Sequence, residues 1–393
     1  DAMRRRRGGC GGAAARQRGR DAILEVGGAN GRFERAWAEM WRAIIDDLHG
    51  DHLISSDERA KLTGLPSAVL TSIHGKIAGD EVSLVRSQRG GAEAMRRLAF
   101  FAHSLEDRKM PHSNGALQAA GLTILVPIYA EALLLRPPRA DNQPDDGKLR
   151  KTLTREELAF LQSHFADEWA ELQARHNDVH GAAYEAALRR WASMRWQAVY
   201  RTIVGMMKAR AALELLLRHE VFGVDDEDAR AGRGLSAQQQ QQLDALLDGK
   251  FRCLAAIQTY GDLKADELAD VEALLTQFPR GLAIAYIDRV EEGGEDAFYS
   301  VCIDGTKRDA GTGALSREAN GRLAPTHRIR LPGFPIFNGK ADNQNTALPF
   351  ARGPFLQAID CNQEGYLEEA LKVPNALREF EPGLHHPGSR PPA

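Results

Sequence analysis

A change of hydrophobic period near Lys250 constrains the fold of this chain more than any other feature. Up to that residue, apolar side chains recur mainly at helical spacing, in tracts of a dozen residues or more. Beyond it, short apolar runs of strand length alternate with a single helical segment, 265–278. A strand–helix–strand order favours a right-handed crossover and a parallel or mixed sheet. The sequence therefore predicts an α/β fold, with a helical N-terminal half joined to a mixed α/β sheet region.

The bounds of the individual elements follow from the same patterns. Thr154 and Glu157 have the spacing of a capping box, which predicts that a helix begins there. Strands are predicted at 122–127, 251–258, 282–287, 298–303, 327–331 and 355–359. Helices are predicted at 33–48, 93–105, 154–176, 184–220 with an interruption at Gly205, and 243–247. The five glutamines at 238–242 predict a linker.

Composition excludes several classes of protein. The chain has 393 residues, which predicts two or three domains, and its 43% hydrophobic content is that of a globular protein. A net charge of −3 argues against a nucleic-acid-binding protein, which would carry a strong positive field. The four cysteines are scattered singly, so a zinc or disulfide framework is not expected. We also expect no membrane-spanning segment, because the chain lacks an apolar run of about 18 residues.

One segment, 339–364, concentrates polar residues whose chemistry suits a phosphorylated sugar. Lysine and arginine neutralise a diphosphate, and carboxamides offer both donors and acceptors to sugar hydroxyls or a uracil edge. The apolar run 355–359 places a carboxylate at the end of a predicted strand, where α/β folds hold their chemistry. The candidates are Lys340, Asn343, Gln344, Arg352, Asp360, Asn362 and Gln363.

The same segment carries a family resemblance. The string GKADNQN, then FARG, then QAIDCNQEGYLEEALKVPNALREFEP is similar to the catalytic region of the 1,3-β-glucan (callose) synthases, the family 48 glycosyltransferases. RRWASMRWQAVYRTIVGMMKARAALELL and LTILVPIYAE resemble further motifs of that family. Two residues depart from its pattern: Thr346 stands where the family usually has histidine, and Glu364 where it usually has aspartate.

The resemblance implies a domain organisation. Residues 121–382 would form a GT-A-like glycosyltransferase region with a helical insert at 154–247, preceded by a helical segment at 31–120. The Arg- and Gly-rich residues 1–30 are predicted to be a disordered tail. Residues 383–393 are predicted to be a second tail, disordered or incorrectly joined to the rest of the gene.

The resemblance also implies roles for residues. Asp360 would be the catalytic residue, in contact with the donor sugar or a divalent ion. The substrate-binding residues would be Lys340, Asn343, Gln344, Arg352, Asn362, Gln363, Asp288, Tyr129 and Glu131. Asp288 is expected at a strand end beside the nucleotide, whereas Tyr129 and Glu131 resemble residues of the family's donor pocket. The family's general base is expected outside this chain.

The implied activity is that of an enzyme, a UDP-glucose-dependent 1,3-β-D-glucan synthase that inverts the anomeric carbon and extends a β-1,3-glucan acceptor. By resemblance, a Rho-type GTPase would regulate it at the cytoplasmic face of the plasma membrane, with membrane contact through parts outside this chain. A second function stays open: a soluble, catalytically incomplete UDP-sugar-binding or interaction protein derived from that family.

The sequence assigns no metal and no cofactor. His176 and His180 are four residues apart, but Asn177 replaces the glutamate that the zincin motif requires. No D-x-D pattern lies at a predicted strand end, so Mg²⁺ stays an open alternative rather than a prediction.

Overall fold

The computed structural model describes residues 32–64, 91–106, 115–129, 131–138, 152–176, 181–224, 228, 232, 234–333, 340–378 and 380. The two predicted tails, 1–30 and 383–393, lie outside these residues. The chain divides into two compact units. The first unit comprises Asp1–Ala119, Ala212–Leu243 and Leu367–Ala393, and the second comprises Ala120–Ala211 and Asp244–Tyr366. The division into functional domains that the resemblance implies stays a prediction.

The described elements are as follows, in chain order. The α-helices are α1 Arg32–Gly50, α2 Ser56–Thr63, α3 Gly91–Glu106, α4 Gly115–Gln118, α5 Arg155–His164, α6 Ala166–Ala174, α7 Ala182–Arg195, α8 Val199–Leu217, α9 Ala237–Lys250, α10 Ala265–Gln277, α11 Lys340–Ala347, α12 Leu367–Ala370 and α13 Val373–Arg378. The strands are β1 Leu122–Ile128, β2 Phe251–Ile257, β3 Leu282–Glu292, β4 Glu295–Asp304, β5 His327–Arg330 and β6 Phe355–Ala358. Short π- or 3₁₀-helical turns lie at Arg218–Phe222, Tyr260–Asp262 and Leu348–Phe350.

The second unit is built on one six-stranded mixed sheet with the strand order β5-β4-β3-β2-β1-β6. Strands β6, β1, β2 and β3 pair in parallel, β4 pairs antiparallel with β3, and β5 pairs antiparallel with β4. Strands β1 and β2 are nearly continuous apolar runs, as expected of strands covered on both faces. The prediction of a mixed α/β fold is confirmed.

Helix α11 packs on one face of this sheet. Ala347 at its end and Phe350 just beyond join a core cluster with side chains of β1 to β4, Leu125, Leu254, Ala256, Ala283, Ala285 and Cys302. Because these strand residues alternate by two, the cluster identifies which face of each strand α11 covers. We call this the α11 face.

Strand β3 is longer than its apolar pattern predicted. It continues through polar residues to Glu292 and pairs with β4 as far as Glu295. Gly293 and Gly294 make the extension practicable, because both have positive φ angles, 64° and 88°, as a tight hairpin turn demands. The predicted strand end at Asp288 is therefore wrong, and Asp288 lies inside a hairpin opposite Tyr299.

Two helix predictions and one linker prediction also need correction. The long tract 184–220 breaks at 196–198, between α7 and α8, and Gly205 lies within α8. The segment 154–176 divides at Phe165, whose φ and ψ of −115° and 49° are not helical. The glutamines at 238–242 belong to α9, because glutamine is a good helix former and Ser236 with Gln239 exchanges the bonds of a capping box.

The capping box predicted at Thr154 is confirmed. The Thr154 amide donates to the Glu157 carboxylate at 2.8 Å, and the Glu157 amide donates to Thr154 Oγ1 at 3.1 Å. Helices α5, α6 and α7 bury a shared apolar cluster that includes Leu161 and Trp191. This part of the second unit is therefore held by ordinary amphipathic packing.

The first unit is helical in its described part. Trp41 of α1 is buried, donates its indole N–H to the Leu62 carbonyl at 2.9 Å and packs 6.3 Å from the Phe101 ring. Arg97 of α3 is fully buried and forms ion pairs with three carboxylates, those of Asp47, Asp51 and Glu368. The amphipathic helix predicted at 33–48 is confirmed as a core helix of this unit.

Candidate functional site

Two of the candidate segments meet at one edge of the sheet. Strands β1 and β6 are parallel neighbours, with Leu125 opposite Ala358, and the Ile359 amide extends the pairing by donating to the Leu125 carbonyl at 3.0 Å. Tyr129 and Glu131 follow β1, and Asp360 follows β6. Adjacent strands lie about 4.8 Å apart, so the register brings these three residues to the same carboxyl edge. We call this edge the β1/β6 edge.

The loop after β1 is held by hydrogen bonds to its own residues and to the end of β2. The Glu131 carboxylate accepts from the Tyr129 amide at 2.7 Å, and Thr259 Oγ1 donates to the Tyr129 carbonyl at 3.0 Å. The Tyr129 side chain is 47% exposed. An exposed aromatic ring on a fixed backbone is suited to stack on a flat or apolar ligand surface.

Helix α8 fixes the loop that follows β6. Thr202 Oγ1, which is buried, donates to the Cys361 carbonyl at 2.8 Å, and Arg201 forms an ion pair with Glu364. The loop side chains of Asp360, Asn362 and Gln363 are exposed. The structure therefore brings these three candidates together on a loop whose backbone is anchored and whose side chains reach solvent. They occupy the β1/β6 edge with Tyr129 and Glu131.

Arg352 lies at the other end of the sheet. Its backbone N–H and carbonyl both bond Thr123 Oγ1, at 2.6 and 2.8 Å, near the start of β1. Strand β1 has 7 residues, so at about 3.3 Å per residue its two ends are about 20 Å apart. Burial lowers the pKa of the Arg252 guanidinium, and the positive charge of Arg352 contributes in the same direction. Arg352 thus lies beside Arg252 and is not brought together with Asp360.

The candidates of α11 are divided between the sheet and the solvent. Asn343 is only 2% exposed and Gln344 is half-buried. Lys340 is the first residue of the helix, and its side chain lies outside the described residues. Thr346, where the family usually has histidine, bonds the carbonyls of Asp342 and Asn343 at 3.0 and 3.1 Å. In this chain, the residue at that position therefore closes hydrogen bonds within its own helix.

Asp288 is engaged by two arginines. Its carboxylate accepts from Arg322 at 3.3 Å and from Arg328 at 3.0 Å, and its side chain is 16% exposed. Asp288 is paired with Tyr299, so it lies on the opposite face from the α11 face. A contact with a nucleotide at this position would involve the arginines as much as the carboxylate.

Two tyrosines near the carboxyl end of β2 were missed by sequence reasoning. The rings of Tyr260 and Tyr286 stack with centroids 4.1 Å apart, and both residues are buried. Burial raises the pKa of the Tyr260 hydroxyl to about 12. Nothing in the spacing of these two tyrosines, 26 residues apart in the sequence, indicates a ring stack.

Two arginines, Arg195 of α7 and Arg201 of α8, form ion pairs with glutamates. Arg195 forms an ion pair with Glu168 and lies over the Trp191 ring, 5.7 Å from its centroid. Arg201 pairs with Glu364, as described above. Arg195 therefore belongs to the packing of the helices, whereas Arg201 supports the candidate site.

The described residues do not fit a divalent ion held by protein side chains alone. Among them, no group of three or more histidine, cysteine, aspartate or glutamate side chains converges on one point. In the same part of the chain, none of the helices combines the length and apolar character needed to cross a bilayer.

Comparison with known proteins identifies the family. The family model for the 1,3-beta-glucan synthase component matches residues 176–387, which include Asp288 and every candidate from Lys340 to Gln363. The chain is 32% identical to 1,3-beta-glucan synthase component bgs1 of Schizosaccharomyces pombe over 90% of its own length and 22% of the relative's. It is 35% identical to callose synthase 3 of Arabidopsis thaliana over 75% of its own length and 16% of the relative's.

The chain spans about a fifth of the length of the curated relatives that it matches, as with bgs3 of Schizosaccharomyces pombe, where the share is 20% and the identity 31%. The match to the family model nevertheless covers more than half of the chain. This chain belongs to the 1,3-beta-glucan synthase component family.

Proposed function

We propose that this chain forms part of the donor-binding region of a UDP-glucose-dependent 1,3-β-D-glucan synthase. The observation that carries the proposal is the β1/β6 edge, where Glu131 and Asp360 follow neighbouring parallel strands. Ligands of α/β folds bind at the carboxyl ends of such strands. Family membership supplies the nature of the ligand, and the exposed carboxylate and amides of the edge suit a sugar.

The reaction proposed for the whole enzyme makes clear demands on this edge. The acceptor 3-hydroxyl oxygen attacks the anomeric carbon of glucose, the bond from that carbon to UDP breaks, and the configuration inverts from α to β. A general base takes the acceptor proton, and positive groups stabilise the charge on the departing UDP. We assign the general base to no residue of this chain.

Roles at the edge follow from exposure and position. We propose that Asp360, whose carboxylate is exposed, accepts hydrogen bonds from hydroxyls of the donor sugar. Asn362 and Gln363 lie on the same anchored loop, and we propose that their side-chain amides form hydrogen bonds with the sugar or the uridine. Lys340 begins α11, and a lysine at a helix N-terminus suits a diphosphate. Arg352 is left out of this contact set, because its backbone lies at the other end of β1.

A second candidate for the isolated chain is a UDP-sugar-binding protein that does not turn its ligand over. The observation that favours it is the span of about a fifth of the relatives' length. Both candidates predict nucleotide binding, but only the first predicts glucan. We therefore expect the purified chain to bind UDP-glucose weakly and to make no polymer.

Location and regulation are proposals of the same kind. We place the whole enzyme at the cytoplasmic face of the plasma membrane, under a Rho-type GTPase, with a β-1,3-glucan chain as acceptor. The support is the family membership and the resemblance of the motifs. Co-purification of the full-length enzyme with its membrane, and its activation by a purified GTPase, would test both statements.

Calorimetric titration of the full chain with UDP-glucose tests the donor site. Asp360→Asn should weaken the affinity about tenfold or more, because hydrogen bonds to a charged acceptor contribute about 1.5–3 kcal/mol and 1.4 kcal/mol is a factor of ten. UDP alone should be affected less, since it lacks the sugar. Glu295→Gln, at an exposed position of the β3–β4 hairpin, serves as the matched control and should change neither affinity.

Absence of UDP-glucose binding by the unaltered chain at millimolar concentration would overturn the proposed site. Equal losses for Asp360→Asn and Glu295→Gln would remove the role of Asp360. Radiolabelled glucan made from UDP-glucose by the purified chain would disprove the prediction that the isolated chain makes no polymer.

A further inference from the structure

Asn343 has a buried amide without a partner. The residue is 2% exposed, and neither its Oδ1 nor its Nδ2 has a hydrogen-bond partner among the described residues. Buried polar atoms are nearly always paired, with protein or with internal water, because an unpaired one keeps the full cost of losing its solvent. The side chain therefore calls for a partner between α11 and the sheet.

Gln258, on the α11 face of the sheet, also has a buried side-chain atom that lacks a hydrogen-bond partner among the described residues. Its Oε1 is buried and has no partner among the described residues. The backbone N–H of Gln258 donates to the Ile128 carbonyl at 3.0 Å, so the hydrogen bonding between β1 and β2 continues one residue past the end of β2. Leu254 and Ala256 face α11, and alternation by two puts Gln258 next in that row.

The register places Gln258 level with the end of α11. Ala285 pairs with Ala256, so two residues further along their strands, Ile287 is level with Gln258. Ile287 pairs with Ser300, whose Oγ donates to the Thr346 carbonyl of α11 at 2.6 Å. The end of α11 is thus tied to β4 at the level of Gln258.

The preceding turn of α11 carries Asn343. Asn343 and Ala347 are four residues apart, so they share the side of the helix that packs on the sheet. Helix α11 contacts β1, β2, β3 and β4, and Thr346 marks its contact with β4. The turn that holds Asn343 therefore belongs to a helix that covers β2 as well as β4.

We infer that Asn343 and Gln258 hold one or two internal water molecules between α11 and the end of β2, and that this buried bridge positions α11. The inference rests on the proposed function where it concerns Lys340, the first residue of that helix. Neither side chain touches the donor. Both are positioning residues: they fix α11, the helix that begins at Lys340.

Water is the ligand whose chemistry matches the unpaired atoms. Two acceptors, Asn343 Oδ1 and Gln258 Oε1, need donors, and one donor, Asn343 Nδ2, needs an acceptor. A water molecule supplies two donors and two acceptors, and buried waters typically make about three such bonds. Buried water in such a place stabilises one arrangement of the helix over others.

A double-mutant cycle on the full chain tests the bridge without any nucleotide. Asn343→Leu and Gln258→Met should each lower the melting temperature, because each leaves the other group unpaired. The double variant should lose clearly less than the sum of the two, since no buried polar group then remains without a partner. Gln357→Met, on an exposed glutamine of β6, is the matched control and should change little. Additive losses, or no loss in either single variant, would overturn the inference.

Hydrogen exchange gives a second measurement if Asn343→Leu fails to fold. In Gln258→Met, peptides covering 340–350 should exchange several-fold faster, while α10 keeps its protection. Unchanged exchange in 340–350 would also overturn the inference. With UDP as the probe, Gln258→Met should weaken affinity several-fold, and Lys340→Met should add little to that loss. A chain that shows the stability coupling but never binds UDP would retain the bridge and refute the proposed function.

Discussion

Gly205 of α8 and Gly365 of the loop after β6 are in direct backbone contact. A Cβ atom added at Gly205 would lie 2.5 Å from the Gly365 amide nitrogen, and one added at Gly365 would lie 2.5 Å from the Gly205 carbonyl oxygen. With the Thr202 hydrogen bond to Cys361, this contact defines how closely the loop that carries Asp360 approaches α8. Only a pair of glycines allows that approach.

Gly205→Ala is therefore expected to destabilise the second unit and to displace the Asp360 loop. We expect a loss of about 1–3 kcal/mol in the free energy of unfolding, because the methyl group meets backbone rather than a flexible side chain. The affinity for UDP-glucose should fall as well. Urea denaturation and calorimetry measure the two effects.

Gly249→Ala is the matched control for this prediction. Gly249 also lies in a helix, α9, but an added Cβ would meet nothing within 4 Å. The substitution should raise stability by up to about 1 kcal/mol, the ordinary helix preference for alanine over glycine. If Gly205→Ala behaved like Gly249→Ala, the close contact would be disproved.

Gly353 gives a second test, at the amino end of β1. Its φ is 72°, and an added Cβ would lie 2.3 Å from the Gly121 carbonyl carbon. Gly353→Ala should lower the free energy of unfolding by about 2–4 kcal/mol, because alanine is strained in the left-handed conformation and its Cβ would clash with the backbone. Gly313 has a similar φ of 69° with open space around it, so Gly313→Ala should cost only about 1–2 kcal/mol. Equal midpoint shifts in urea would argue against the clash.

Local patterns predicted the starts of five of the six strands, because apolar runs of strand length with flanking turns are encoded residue by residue. Strand β4 begins at Glu295, three residues before its predicted start. The patterns predicted the ends less well. Strand β3 runs on through polar residues because a glycine pair at 293–294 turns it back onto β4, and that pairing is a property of two strands. For the same reason the position of Asp288 inside a hairpin could not be derived from its own neighbours.

Gly205 shows a related limit. A glycine within a helical tract is read as a break, yet here it serves a contact with a residue 160 positions away in sequence. The helix instead breaks at 196–198, where the sequence gives no strong signal. Long-range contacts of this kind are invisible to hydrophobic period.

Sequence reasoning proposed which residues belong to the candidate site, but it gave no geometry for them. Asp360, Asn362 and Gln363 were recognised as neighbours because they are adjacent in sequence, and the parallel register adds Tyr129 and Glu131. Arg352 is only eight residues before Asp360, but strand β6 lies between them and carries them to opposite ends of the sheet. Proximity in sequence is a poor guide wherever a strand intervenes.

The first unit offers a prediction about a buried charge. Arg97 donates to Glu368 at 2.6 and 2.9 Å, to Asp47 at 2.7 Å and to Asp51 at 3.0 Å. Burial disfavours its charge, but the hydrogen bonds and charge of Glu368, with those of Asp47, raise its pKa above the ordinary value. Arg97→Met should lower the free energy of unfolding by about 3–5 kcal/mol, because it leaves buried carboxylates without their partner.

The neighbouring Arg96 is the control for Arg97. It forms an exposed ion pair with Glu93 at 2.6 Å, three residues away on the same helix. Arg96→Met should lower the free energy of unfolding by less than about 1 kcal/mol, because exposed ion pairs contribute little to stability. Similar unfolding midpoints for the two variants would show that the Arg97 carboxylate cluster does not stabilise the unit.

The buried hydroxyl of Tyr260 predicts a dependence of stability on alkaline pH. Burial raises its pKa to about 12, whereas a tyrosine in an unfolded chain ionises near pH 10. Between these values the folded state binds more protons than the unfolded state. The stabilisation is therefore complete below about pH 10 and is lost as pH rises toward 12, at up to about 1.4 kcal/mol per pH unit.

Tyr260→Phe isolates this contribution. The Tyr260 hydroxyl has no hydrogen-bond partner among the described residues, so its removal should leave stability at pH 7 unchanged or slightly higher. In urea denaturation between pH 8 and 11, the free energy of unfolding should then fall less steeply with pH than in the unaltered chain. Burial also raises the pKa of the Tyr286 hydroxyl and the pKa values of the Cys253 and Cys302 thiols, so these groups contribute to the slope that remains. Identical slopes in the two proteins would mean that Tyr260 ionises in the folded state as readily as in the unfolded one, and that its stacked position beside Tyr286 is accessible to solvent.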